Sequence, residues 1–165
     1  MNLLLLEDSD FIDPQHVRLT GPRLAHMQDI QQVSATELQQ LMLTNAVAPM
    51  RLARQLASLV TARGVIAFMS SQMASVELAL AADMPLYGAS KAMLNSLIRS
   101  WSQASDAPAA PLLALHPGWV QTDMGGANAP VSIEASVSGL ITSLETLAGR
   151  PGCFFYDYQQ QPLPW

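Results

Sequence analysis

The chain has 165 residues, half of them hydrophobic and 13% charged, which fits one globular domain with a sizeable core rather than a disordered segment. Its net charge of −5 argues against a nucleic-acid-binding surface, and no apolar run reaches the roughly 20 residues of a membrane span. A single cysteine, Cys153, excludes an internal disulfide and predicts a reducing, cytoplasmic setting, with the thiol itself a small buried hydrophobe.

Leu3 to Leu6 reads as a short buried strand. The start, Met1 to Asp8, has no basic region and is too short for a signal peptide. Asp8 to Pro22 is polar and turn-rich. Ser34 then opens a strong helix. Glu37 lies three residues on and completes a capping box. Leu38, Leu41, Met42, Asn45, Pro49, Leu52, Leu56 and Leu59 keep helical spacing to about Val60. Pro49 falls inside it and has no N–H for the carbonyl of Asn45, so the helix is predicted to kink there or to free that carbonyl for a water.

Arg63-Gly64 turns the chain into a strand over Val65–Met69. Its continuous apolar run is that of a parallel strand covered on both faces, and Ser70 and Ser71 follow at its C-terminal end. Gln72 to Pro85 is a loop holding Glu77 and Asp83 among alanines, leucines and methionines, an ordinary surface loop or the lining of a substrate mouth.

The next helix runs from Leu86 to about Gln103 and begins with Tyr87-Gly88-Ala89-Ser90-Lys91. Residues four apart share a helix face, so a phenol and an ammonium can meet at one spot. A neighbouring ammonium favours the phenolate form of a tyrosine, and a tyrosine so tuned can exchange a proton with a carbonyl–alcohol pair. The spacing alone is also met on ordinary solvated helices. Ala89, Ala92, Met93 and Ser96 give this helix a small-residue face suited to close packing, within the chain or between copies.

Ser105 to Pro111 is a linker, Leu112–Leu115 a buried strand, and Pro117-Gly118 the turn after it, with Val120 and Thr122 beyond. Asp123 to Pro130 is glycine-rich and expected to be mobile. Ser132 caps a helix to about Ala148, with Glu134 in its first turn. Cys153 to Tyr156 is the last strand, and the tail ends Pro162-Leu163-Pro164-Trp165. His16, His26 and His116 lack metal-ligand spacing, so no metal site is expected.

Strand-Ser, Tyr-x-x-x-Lys and strand-Pro-Gly-x-Val-x-Thr, in that order, resemble the short-chain dehydrogenase/reductase family from about Ser34 to Trp165. The likeness is closest to the small C-factor-like or carbonyl-reductase-like members, which also end near Leu-Pro-Trp. It implies an α/β fold, here the C-terminal half of a doubly wound, Rossmann-type parallel sheet with flanking helices. It implies an oxidoreductase that uses NADP or NAD on a small-molecule carbonyl or alcohol. The catalytic set it implies is Asn45 holding a water, Ser71 binding the substrate oxygen, Tyr87 donating the proton and Lys91 tuning it. Tyr87, Lys91, Pro117, Gly118, Val120 and Thr122 would contact the cofactor, and a homodimer or higher homo-oligomer would form. The distance from Ser71 to Tyr87 exceeds the commonest family spacing, which implies an enlarged loop.

Two departures stand against that pattern. The family's glycine-rich T-G-x-x-x-G-x-G turn, where backbone amides meet the pyrophosphate, is not in this sequence. Residues 1–30 instead resemble the start of bacterial 16S ribosomal RNA uridine methyltransferases, with no catalytic motif carried over. The expected organisation is therefore an atypical segment over residues 1–33, with Leu3–Leu6 as a possible substitute strand, joined to the C-terminal portion of a dehydrogenase domain over residues 34–165. An N-terminally truncated or fused, non-catalytic remnant that folds by self-association is the competing expectation. Sugar-nucleotide epimerases also use Tyr-x-x-x-Lys, but their longer C-terminal substrate domain has no counterpart here.

Overall fold

The computed structural model describes residues 3–6, 28–61 and 63–165 of the chain. The polar stretch from Asp8 to Pro22, His16 and His26, and the side chains of Leu3–Leu6, lie outside the described residues.

Among the described residues four parallel strands form one sheet, β1 (Leu3–Leu6), β2 (Val65–Met69), β3 (Leu112–His116) and β4 (Cys153–Asp157), ordered as in the sequence. Leu3–Leu6 pairs with Val65 to Phe68, so this segment does occupy the sheet position next to β2. Helices link the strands: α1 (Ala35–Met42) and α2 (Ala48–Leu56) precede β2, α3 (Pro85–Ser102) precedes β3, and α4 (Ile133–Leu147) precedes β4. Parallel neighbours need such crossovers, and the helices then cover both sheet faces.

The strands are apolar on both sides for that reason. Ile66, Phe68, Leu112, Ala114 and Phe155 face a layer made by Ala46, Met50 and Ala53 together with Leu94, Ile98 and Trp101. Val65, Ala67, Leu113 and Leu115 face Leu140, Leu144 and Leu147 of α4. Burying one large side chain such as Phe68 stabilises by about 1.5–3 kcal/mol.

Ser34 caps α1 as expected: its hydroxyl accepts from the Glu37 amide while the Glu37 carboxylate accepts from the Ser34 amide. The long helix is not continuous. Leu43–Val47 forms a π turn in which the Ala48 amide donates to the Leu43 carbonyl five residues back. Pro49 sits just beyond, and the extra residue in the turn absorbs the register that the proline disturbs.

At the far edge, the tail folds back along β4. The Leu163 amide donates to the Phe155 carbonyl, and the Trp165 ring stacks 5.4 Å from Phe155 under the Arg99 guanidinium. Among the described residues no helix is long and apolar enough to cross a membrane.

Candidate active site

The C-terminal ends of β2 and β3 lie side by side, and α3 begins beside them. Pro85 occupies the first turn of α3, where a missing N–H costs nothing. The Tyr87 amide in that turn is met by the side-chain carbonyl of Gln28, 3.1 Å away. Gln28 went unnoticed in the sequence because it lies 59 residues from its partner and in no motif.

Tyr87 and Lys91 do meet. The Lys91 ammonium lies 5.8 Å from the centre of the Tyr87 ring and donates to the Met69 carbonyl at 3.0 Å. Lys91 is only 1% exposed while Tyr87 is half-buried, so the charge sits beneath the phenol rather than in solvent. Ser90 between them is buried. Its hydroxyl donates to the Tyr87 carbonyl at 2.7 Å and accepts from the Asn45 amide group at 3.0 Å.

Asn45 is 1% exposed and lies in the π turn, which carries it against α3. Its Oδ1 has no protein partner among the described residues. The sequence marks this point by Pro49; the structure brings Asn45, Tyr87 and Lys91 into one region through Ser90.

Ser71 follows β2 with extended backbone and is 7% exposed. Its oxygen accepts from the Met73 amide at 3.2 Å, capping a short 3₁₀ turn over Gln72–Ala74 and leaving the O–H hydrogen free to donate. The remaining loop folds on itself: Leu78 donates to the Ser75 hydroxyl, Ala79 to the Ser75 carbonyl and Met84 to the Ala81 carbonyl. It exposes Val76, Leu78 and Leu80 to solvent beside the site.

Pro117 and Gly118 turn the chain out of β3. Gly118 has φ +88°, and a Cβ there would come within 2.9 Å of the Tyr158 ring, so both backbone and space require glycine. Ser136 of α4 donates to the Pro117 carbonyl at 2.7 Å and fixes the turn. Val120 pairs with Val131 in an isolated bridge. Thr122 accepts the Gly125 amide at its hydroxyl and the Gly126 amide at its carbonyl.

The glycine-rich stretch, expected to be mobile, is hydrogen-bonded back onto its own flanks in this structure. The Trp119 indole donates to the Gly125 carbonyl, and the Gln121 side chain donates to the Ala129 carbonyl. A Cβ on Gly125 would lie 1.9 Å from the Val120 carbonyl oxygen, so its glycine serves close approach rather than freedom. On the small-residue face of α3, Ala89 and Ser96 are exposed, Ala92 is half-buried and Met93 packs against the core.

Behind the site is a buried polar group that no motif announces. The Ser70 hydroxyl donates to Asn95 Oδ1 at 2.7 Å, and His116 is buried with its Nδ1 unpartnered among the described residues. Burial pushes His116 down to about 4, against the opposing pull of Asp157. Asn95 follows Lys91 by one helical turn, the one sequence signal that could have found it. Among the described residues no group of three His, Cys, Asp or Glu could hold a metal ion.

Parallel sheet, helical crossovers and the Tyr87–Lys91 pair at the end of β2 define a short-chain dehydrogenase-like domain. The chain belongs to the short chain dehydrogenase family, whose match covers residues 20–130 and so begins inside the segment set apart as residues 1–33. It is 36% identical over 100 residues to the C-signal protein of Myxococcus xanthus, a match covering 61% of this chain and 60% of that one. A carbonyl reductase from Pseudomonas aeruginosa PAO1 in complex with NADP is 48% identical with a TM-score of 0.83, covering 100% of this chain and 66% of that one. A short-chain dehydrogenase/reductase from Burkholderia multivorans with bound NADP is 33% identical with a TM-score of 0.84, covering 99% of this chain and 66% of that one. The chain thus spans just under two thirds of the length of these relatives.

Proposed function

We propose that the chain reduces a small-molecule carbonyl, or oxidises the matching alcohol, with NADP(H) or NAD(H). The observation that carries this reading is the buried Lys91 ammonium beneath the half-buried Tyr87 ring, one strand end away from Ser71. Family membership and the NADP-bound relatives support it.

In this reading the Ser71 hydroxyl donates to the substrate oxygen and stabilises the charge that develops there. The Tyr87 O–H gives its proton to that oxygen, and the Lys91 ammonium favours the phenolate left behind. Asn45, in its π turn, holds a water by which Lys91 communicates with solvent; its unpartnered buried Oδ1 and the Pro49-disrupted turn fit such a role. When bound, the reduced nicotinamide supplies the hydride. Residues that would hold it are Tyr87, Lys91, Pro117, Gly118, Val120 and Thr122. The exposed Ala89 and Ser96 make the outer face of α3 the contact surface of a homo-oligomer. The free Cys153 thiol fits a cytoplasmic setting.

A second reading is a non-catalytic chain that folds by self-association. Among the described residues β1 is the edge of the sheet, and an apolar edge strand of this kind can pair with a second copy, which favours this alternative. Turnover of aldehydes and ketones with NADPH or NADH separates the two: the first requires turnover that Tyr87→Phe removes, and the second has none to remove.

A further inference from the structure

Helix α3 grips the end of β2 at two successive residues. Lys91 Nζ donates to the Met69 carbonyl, and one helical turn later Asn95 Oδ1 accepts from the Ser70 hydroxyl at 2.7 Å. Ser70 is the neighbour of His116 across the ladder, one residue beyond the Met69–Leu115 pair, and its own amide donates to the Leu115 carbonyl. By strand alternation His116 faces the same layer as Leu112 and Ala114, the layer that contains Leu94 and Ile98 of α3.

Two buried atoms in this small space have no protein partner among the described residues, Asn95 Nδ2 and His116 Nδ1. One is a donor and the other can accept. Asn95 is 3% exposed and His116 9%, so bulk water does not serve them.

We propose that Asn95 is a positioning residue of the active site, holding Ser70 through Oδ1 and reaching His116 Nδ1 from its amide group across one bound water. Ser71 has extended backbone, so the strand alternation runs one residue past β2 and turns Ser71 away from the face on which Asn95 holds Ser70. His116 immediately precedes the Pro117-Gly118 turn. One carboxamide therefore sets the ends of β2 and β3 against the helix that carries Tyr87 and Lys91. The consequence for catalysis rests on the function proposed above; the bridge itself does not.

The test is NMR of the histidine rings in the full chain, with His116→Gln used to assign the His116 signals. A bridging water that accepts from the Asn95 amide can donate to a bare Nδ1 or accept from a protonated one, so the reading that decides is the response of the His116 ring to a change at Asn95. In Asn95→Asp a carboxylate replaces the amide beside the ring, and the His116 midpoint is expected to rise from about 4 by at least about one pH unit. An unmoved midpoint in folded Asn95→Asp overturns it. Charged groups that also face this region are Lys91 from α3 and Asp157 from β4, and neither is altered. Where the wild-type chain turns over a carbonyl with NADPH, Ser70→Ala is expected to lower kcat by roughly 10–100-fold, with NADPH binding within about twofold of wild type. An unchanged kcat overturns the positioning role. Absence of wild-type turnover would refute the proposed function alone, and the His116 midpoint in Asn95→Asp would still decide the bridge.

Discussion

The Lys91 ammonium donates to the carbonyl of Met69, the last residue of β2, at 3.0 Å. That bond ties the helix carrying the Tyr87 phenol to the strand end that leads into Ser71. Lys91→Met keeps the volume and removes both the charge and the donor. Carbonyl turnover is expected to fall by about 100-fold or more, while far-UV circular dichroism stays that of the wild type. Turnover within twofold of wild type would take Lys91 out of the mechanism.

Tyr87→Phe removes one hydroxyl from a half-buried ring. The ring still packs, so the unfolding midpoint should change little. Turnover should fall by about 10²–10⁴-fold, the usual worth of a positioned proton donor. Steady-state kinetics beside a thermal melt checks both halves of that statement.

Gly118→Ala combines a φ of +88° with a Cβ that would come within 2.9 Å of the Tyr158 ring. Forcing an L-residue into that conformation costs about 1–3 kcal/mol, and the Tyr158 contact adds to it. Chemical denaturation should show a loss of at least that size. The Pro117 turn should shift, so dinucleotide affinity should weaken along with stability.

His116 gives the fold a defined acid sensitivity. Burial lowers its folded-state pKa to about 4, below the 6.5 of an unhindered histidine. The unfolded chain therefore binds the proton first as pH drops. The stabilisation is fully present above about pH 6.5, declines below it, and is gone near pH 4. The shift corresponds to about 3 kcal/mol between those limits. Denaturant midpoints at pH 7 and pH 4.5 should differ less in His116→Gln than in the wild type; an equal difference would contradict this account.

Much of this arrangement was legible in the sequence where the signal is local. The Ser34–Glu37 capping box acts within one turn, and it appears as expected. Val65–Met69 reads as a strand from its unbroken apolar run, and the structure has the same boundaries. Tyr87 and Lys91 are tied by helix period alone, so their meeting followed from spacing. Leu3–Leu6 reads as a short strand from its run of leucines, and it pairs with β2. What escaped is what depends on distant partners. Gln28 reaches Tyr87 across 59 residues, and Asn95 finds Ser70 across 25. No local pattern encodes such pairs. The π turn was visible only as a proline problem at Pro49, because insertion and kink start from the same missing N–H. The close approach of Gly125 to the Val120 carbonyl also went unread, because a glycine in a sequence does not distinguish freedom from close approach.

The most direct test of the central claim is a fluorescence titration of the purified chain with NADPH and NADH. The account predicts saturable binding at micromolar dinucleotide, with turnover of a carbonyl substrate by the bound form. No binding up to millimolar NADPH or NADH would contradict it, because Ser71, Tyr87 and Lys91 would then be without a hydride source, and the self-associating, non-catalytic chain would be the reading that stands.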